Sequence, residues 1–146
     1  MPNSLLSRRD WLGLIARAPI ARLNALWPEE APAFVWLRRP ETGSMMMQGR
    51  AGAVGAAFNL GEVTVSRASV RLDCGTIGHA MVQGRNPQKA ERAALLDALL
   101  QTAHGDRLQN DVLAPLQRAE TEAAEARARR AAATKVDFFT MVRGEG

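Results

Sequence analysis

Cys74 and His79 stand five positions apart in DCGTIGH. A thiolate and an imidazole at that spacing could share a metal ion or form a nucleophile–base pair. Structural zinc takes four protein ligands and catalytic zinc usually three. The chain offers one cysteine and two histidines, and the second histidine, His104, is expected at the end of a distant helix. An iron–sulfur cluster wants three or four cysteines. A serine or cysteine nucleophile needs a base and a group that orients it, and nothing local supplies that set. Cys74 reads instead as a turn residue, and His79 as a hydrogen-bonded residue on the apolar side of a hairpin. The residues therefore support no catalytic site, no metal site and no cofactor.

Gly49, Gly52 and Gly55 in GRAGAVG could offer backbone amides to a phosphate. A phosphate-cradling loop of the Walker or dinucleotide type must open a helix, whereas AAFNLGEVTV follows here and reads as strand. The glycines thus suit a flexible connection between strands. Arginines 38, 39, 50, 67, 71 and 85 could form an anion-attracting surface, with Arg67, Arg71 and Arg85 the candidate anion-binding residues. Solvated strand faces carry arginines equally well. The net charge of +4 and pI near 10.5 would suit nucleic acid, anionic substrates or acidic protein surfaces. A small basic nucleic-acid-binding protein is accordingly the alternative function. Its weakness is that aromatics are 5% of the chain and tyrosine is absent, so no interleaved rings are available for base stacking.

The elements that must position these residues follow from periodicity and punctuation. Residues 7–18 read as an amphipathic helix with Ser7 as N-cap, Asp10 in the first turn, and Trp11, Leu12, Leu14 and Ile15 on its apolar face. Pro19 interrupts it and a short helix, IARLNALW, follows. AFVWLRR and SMMMQGR read as strands joined at Pro40-Glu41-Thr42-Gly43, and FNLGEVTVSRASVRL and TIGHAMVQG as two more. Asn86 caps a helix with Pro87 at its first position, whose buried stripe is Ala93, Leu96, Leu99, Leu100 and Ala103. His104-Gly105-Asp106 closes it. An Ala-, Glu- and Arg-rich helix runs from about Pro115 to Ala133. The fold class is α+β: an antiparallel sheet of about four strands flanked by N-terminal and C-terminal helices.

A two-residue turn at Cys74-Gly75 would set Leu72 opposite Ile77, Val70 opposite His79 and Ala68 opposite Met81, all on one buried face. Val63 and Val65 have the opposite parity to Val70 and Leu72. Either a bulge or bend lies near Ser66-Arg67, or the strand changes its buried side there.

SRRDWL resembles a twin-arginine export motif, but Arg17 and Arg22 break the apolar run that an export signal requires. With one cysteine no internal disulfide can form, which suits a reducing cytoplasm, and no apolar run approaches a membrane span. The last eleven residues, VDFFTMVRGEG, are unusual because termini fray unless something ties them down. Burying Val136, Phe138, Phe139 and Met141 at roughly 1.5–3 kcal/mol each would yield about 6–12 kcal/mol before ordering costs. The expected organisation is a single α+β domain over 1–135 and a partner-binding tail over 136–146. Asp137 and Arg143 would fix the tail's register by charge. A tail folded back on its own sheet is the other reading.

FNLGEVTVSRASVRL, GTIGHAMVQGRN, KAERAALLDALLQ, APL and VDFFTMVRGE together resemble the G subunit of the bacterial phosphonate carbon–phosphorus lyase core complex, the PhnG family. The likeness runs from about Leu5 to the C-terminus. DCGT departs from the family's usual Asp-Gly-Thr at Cys74, which weakens any role for that thiol. The resemblance implies an accessory subunit, required with the H, I and L proteins to move the ribose 5-triphosphate unit of ATP onto an alkyl phosphonate with release of adenine. It implies H, I and J partners, the I subunit most directly, and non-catalytic membership of a multi-subunit transferase and lyase system. Neither nucleic acid nor membrane is an implied partner, and a homodimer in isolation is compatible with it.

Overall fold

Two local capping signals set the helical frame. In the computed structural model, which describes residues 5–28, 32–50 and 55–144 with side chains through residue 134, the Ser7 hydroxyl accepts from the Asp10 amide at 3.3 Å and opens α1, Arg8–Arg17. The Asn86 carboxamide oxygen accepts from the Lys89 amide at 3.1 Å and opens α3, Pro87–Leu100, with Pro87 at the first position. Between them run α2, Ile20–Ala25, and three strands: β1, Phe34–Arg50, β2, Ala57–Leu72, and β3, Ile77–Gln83. After α3 come a short α4, Gly105–Leu108, a π-helical turn, Gln109–Leu113, and α5, Ala114–Gly144.

The strands form one antiparallel sheet in the order β1-β2-β3. The two strands expected on either side of Pro40 are a single long strand. Pro40 falls between the paired positions Arg38 and Glu41, where the register shifts, and a second shift lies between Trp36 and Arg38. Proline lacks a ladder donor, and an edge strand with a bulge accommodates it. The irregularity therefore lies on β1, while β2 pairs regularly with β3 from Val65↔Gln83 to Arg71↔Ile77. Val65 and Ser66 are both buried, and the buried parity of β2 changes between them.

The hairpin register differs from the expected one by one residue. The turn has three residues, Asp73, Cys74 and Gly75: the Leu72 amide donates to Thr76 O at 2.9 Å, and the Gly75 amide to Leu72 O at 2.8 Å. Gly75 takes φ +94, the conformation that closes a three-residue loop and that glycine adopts without steric cost. One extra loop residue moves every β3 side chain to the other face. Val70 thus faces Gly78 and Ala68 faces Ala80, while Ile77, His79 and Met81 share the opposite, open face with Arg71, Ser69 and Arg67. Ile77 and Met81 are exposed rather than core.

The core is built on the inner face, from Ala68, Val70, Leu72 and Val82, with Trp11, Leu14 and Ile15 of α1, Leu23 of α2 and most of α3. Gly78 lets α3 approach closely. A Cβ there would collide with the Ala94 carbonyl and sit 2.6 Å from the Ala98 nitrogen. Because α3 is enclosed by the sheet and α1, its burial extends around Ala90, Ala93 to Ala98 and Leu100, wider than a single stripe. Leu99 is half-buried and Ala103, past the helix end at Leu100, is exposed. Gln109 in the π turn clamps the N-terminal segment, exchanging hydrogen bonds with the Leu6 amide at 3.0 Å and carbonyl at 2.9 Å.

The C-terminal helix starts where expected but continues to Gly144. Leu116 is buried and Glu120 pairs with Arg17 through two bonds of 3.0 Å. From Thr121 to Thr134 the helix is exposed apart from a half-buried Ala126. No helix among the described residues is long and apolar enough to cross a membrane.

Candidate functional site

The polar residues on the open face form two small clusters rather than one convergent site. Glu41, on β1, takes a hydrogen bond from Arg38 and lies 3.3 Å from Arg67. The Arg38 bond, with the fields of both arginines, holds the Glu41 carboxyl below the usual carboxylate range. Beside it, Ser69 Oγ and His79 Nδ1 are 2.8 Å apart. Cross-strand pairing explains both groups, since Arg67 faces Glu41 and Ser69 faces His79. His79 thus finds the hydrogen-bond partner expected of it, but on the open face instead of the apolar one.

Of the three candidate anion-binding arginines, Arg67 is engaged by Glu41, whereas Arg71 and Arg85 are exposed. Arg71 pairs with Ile77 at the start of β3, and Arg85 follows Gln83 at its other end. Strand geometry separates those positions by about 20 Å at roughly 3.3 Å per residue. The three are therefore not brought together on one ligand. A groove of about 600 Å³ runs beside Leu12, Ala16, Arg67, His79 and Met81, and its lining is mostly apolar.

Cys74 is exposed in the turn, and its thiol lies 3.3 Å from the Thr76 hydroxyl. That hydrogen bond is the main cause of a thiol pKa below the ordinary value. His104, expected far away, borders the same groove of about 540 Å³ as Cys74, Asp73, Thr76 and Thr102. The thiol's hydrogen-bond partner remains a hydroxyl and not an imidazole. Among the described residues, no group of three or more His, Cys, Asp or Glu is placed to hold a metal. GRAGAVG does connect β1 to β2; positions 51–54 lie outside the described residues, as do the tail side chains of Val136, Asp137, Phe138, Phe139, Met141 and Arg143.

Sequence reasoning missed two buried polar hubs. Asp97, fully buried on α3, accepts from Arg8 Nε at 3.1 Å and Nη2 at 2.8 Å, from Trp11 Nε1 at 2.9 Å and from the His79 amide at 2.8 Å. Four donors satisfy both carboxylate oxygens and join α1, α3 and β3. Gln101, which caps the end of α3, adds a bond from Nε2 to Ile77 O at 2.9 Å, so α3 and its cap hold two backbone groups of edge strand β3. Ser66 is the second hub. Its hydroxyl donates to Gly84 O at 2.7 Å and accepts from the Asn86 amide at 2.9 Å. Thr42 Oγ1, 3.1 Å away, must then be the donor to it. Both hubs are saturated from within the fold, as structural polar groups are. Lys89 is structural as well: its Nζ donates to Ala16 O at 2.7 Å near the end of α1, and burial lowers its pKa.

The family described as phosphonate metabolism protein PhnG matches residues 6–144. The chain is also 44% identical over 141 residues to the alpha-D-ribose 1-methylphosphonate 5-triphosphate synthase subunit PhnG of Rhizobium meliloti (strain 1021), covering 94% of this chain and 90% of that relative.

Proposed function

Because the chain belongs to the phosphonate metabolism protein PhnG family, we propose that it is an accessory subunit of the carbon–phosphorus lyase core complex. With the H, I and L proteins it serves the transfer of the ribose 5-triphosphate unit of ATP to an alkyl phosphonate, releasing adenine. It works in the cytoplasm and contributes no catalytic group and no cofactor of its own. Its partners are the H, I and J subunits, with I the most direct. The observation that carries this reading is the near full-length similarity to a relative named as a synthase subunit. The described side chains are consistent with it: the polar hubs are internally satisfied, and the exposed thiol is hydrogen-bonded to the Thr76 hydroxyl.

The tail, residues 136–146, is the proposed anchor beyond a domain of residues 1–135. The exposed run of α5 from Arg127 to Thr134 supports a segment held away from the core. Deleting residues 136–146 tests this. The isolated domain should keep its circular dichroism and melting temperature, while co-purification with the I subunit drops by orders of magnitude, as several kcal/mol of lost burial requires. Phe138→Ala with Phe139→Ala should reproduce much of that loss, and Arg143→Ala less, since rim charges contribute less than buried aromatics. Unfolding of the truncated domain would assign the tail to its own core. Wild-type recovery of the truncated chain with the I subunit would end the anchor proposal.

A further inference from the structure

The helices pack against one face of the sheet, and on the other only Val65 among the described residues is buried. Val35, Ile77 and Met81 lie exposed on the open face, at 48%, 39% and 45%. β3 ends opposite Val65, so the remainder of β2 pairs with β1 alone and forms a two-stranded ribbon. A hairpin of that kind is marginal in water without something to pack on.

The ribbon's two faces differ. Met45 faces Val63 and Met47 faces Gly61, with the parity of the open face, while Met46 faces Glu62 and Ser44 faces Thr64 on the other side. The register shift after Met47 brings Phe58 opposite Gly49, and Leu60 lies against Gly49 as well. Met45, Met47, Phe58 and Leu60 therefore prolong the apolar stripe of Ile77 and Met81 along the ribbon. Each of the seven is between 39% and 60% exposed, and the four on the ribbon, Met45, Met47, Phe58 and Leu60, adjoin one another as residues of an interaction surface do and singly scattered apolar residues do not.

Charge decides what covers this face. Arg38, Arg67 and Arg71 lie on it, and the Glu41 carboxylate pairs with the first two. A second copy docked face to face would oppose two patches of the same positive sign, which is unfavourable. Edge-to-edge pairing of a second copy would leave the apolar face bare. We infer that the open face and its ribbon dock a different protein chain, an apolar surface bearing a carboxylate that meets Arg71. This rests on the subunit reading above, and the occupant is another subunit of the same complex. The interface is separate from the C-terminal tail.

The test uses the full-length chain co-expressed with the other subunits. Met45→Ser with Met47→Ser should leave the isolated chain's urea midpoint unchanged, because both side chains are exposed, and should reduce recovery in the complex at least tenfold. Arg71→Glu should also reduce it, and amide exchange over residues 57–65 should slow on assembly. Wild-type recovery of the methionine variant, or unchanged exchange, would overturn the inference. So would an isolated wild-type dimer that the variant turns into monomer by sedimentation, since the occupant would then be a second copy. If wild-type chain fails to assemble with those subunits at all, the subunit reading itself is refuted, and the docking partner with it.

Discussion

Replacing Asp97 should damage the fold more than any other polar substitution, and the geometry sets the size. In Asp97→Ala, the Trp11 indole N–H and the His79 amide lose their acceptor. A buried orphaned donor costs about 1–3 kcal/mol, so two cost about 2–6 kcal/mol. Arg8 adds little, because its side chain is 43% exposed and can return to water. Asp97→Asn keeps one acceptor oxygen but turns an NH₂ toward donors, so it should fall between alanine and wild type. Urea unfolding followed by tryptophan fluorescence measures this, with the midpoint shifting while the slope stays constant. For a chain of this length each kcal/mol also lowers the melting temperature by about 2–4 °C. Arg8→Met should cost more than the ~1 kcal/mol of an exposed ion pair, because it leaves the fully buried Asp97 carboxylate without its cation. A destabilisation below about 0.5 kcal/mol for Asp97→Ala would refute the hub assignment, because that is the scale of an ordinary surface change.

Gly78→Ala should destabilise by about 1–3 kcal/mol or more, since the new methyl meets α3 backbone that cannot yield, whereas Gly43→Ala, with nothing within 4 Å of its Cβ, should be nearly silent; equal melting temperatures would contradict the close approach. Cys74 should react with iodoacetamide in the native state, and Thr76→Val should move the midpoint of the rate–pH profile upward. The sign follows because the Thr76 hydrogen bond lowers the thiol pKa, so its removal leaves less thiolate at any given pH; an unmoved profile would dismiss that bond.

What could be read in advance was local. Ser7 and Asn86 cap helices with side chains that act within three residues, so their roles are visible in a short window. The register of β2 against β3 hung on whether Asp73 belongs to the strand or to the turn. One residue of ambiguity there exchanged Ile77, His79 and Met81 for Gly78, Ala80 and Val82 as the inner set. Gly78 carried an overlooked signal, because glycine inside a strand often marks a close backbone approach. Pro40 suggested a strand break, yet an edge strand absorbed it as an irregularity. Asp97 was illegible for another reason: its partners are 89, 86 and 18 positions away, and only the assembled fold identifies them. The candidate arginines are exposed, but exposure is a weak guide to convergence when strand pairing decides what each one meets.

The length of α5 has a mechanical meaning. Its 31 residues span about 46 Å, and each residue turns the axis by about 100°. Anything attached near Gly144 is thereby given a reach and an angular phase relative to the sheet. A one-residue insertion after Thr121 would lengthen the arm by only about 1.5 Å yet swing its end through roughly a quarter turn, while seven residues would add about 10 Å and nearly restore the heading. A change of residue count within this alanine-rich segment therefore alters the heading of the arm's far end more than a change of composition does.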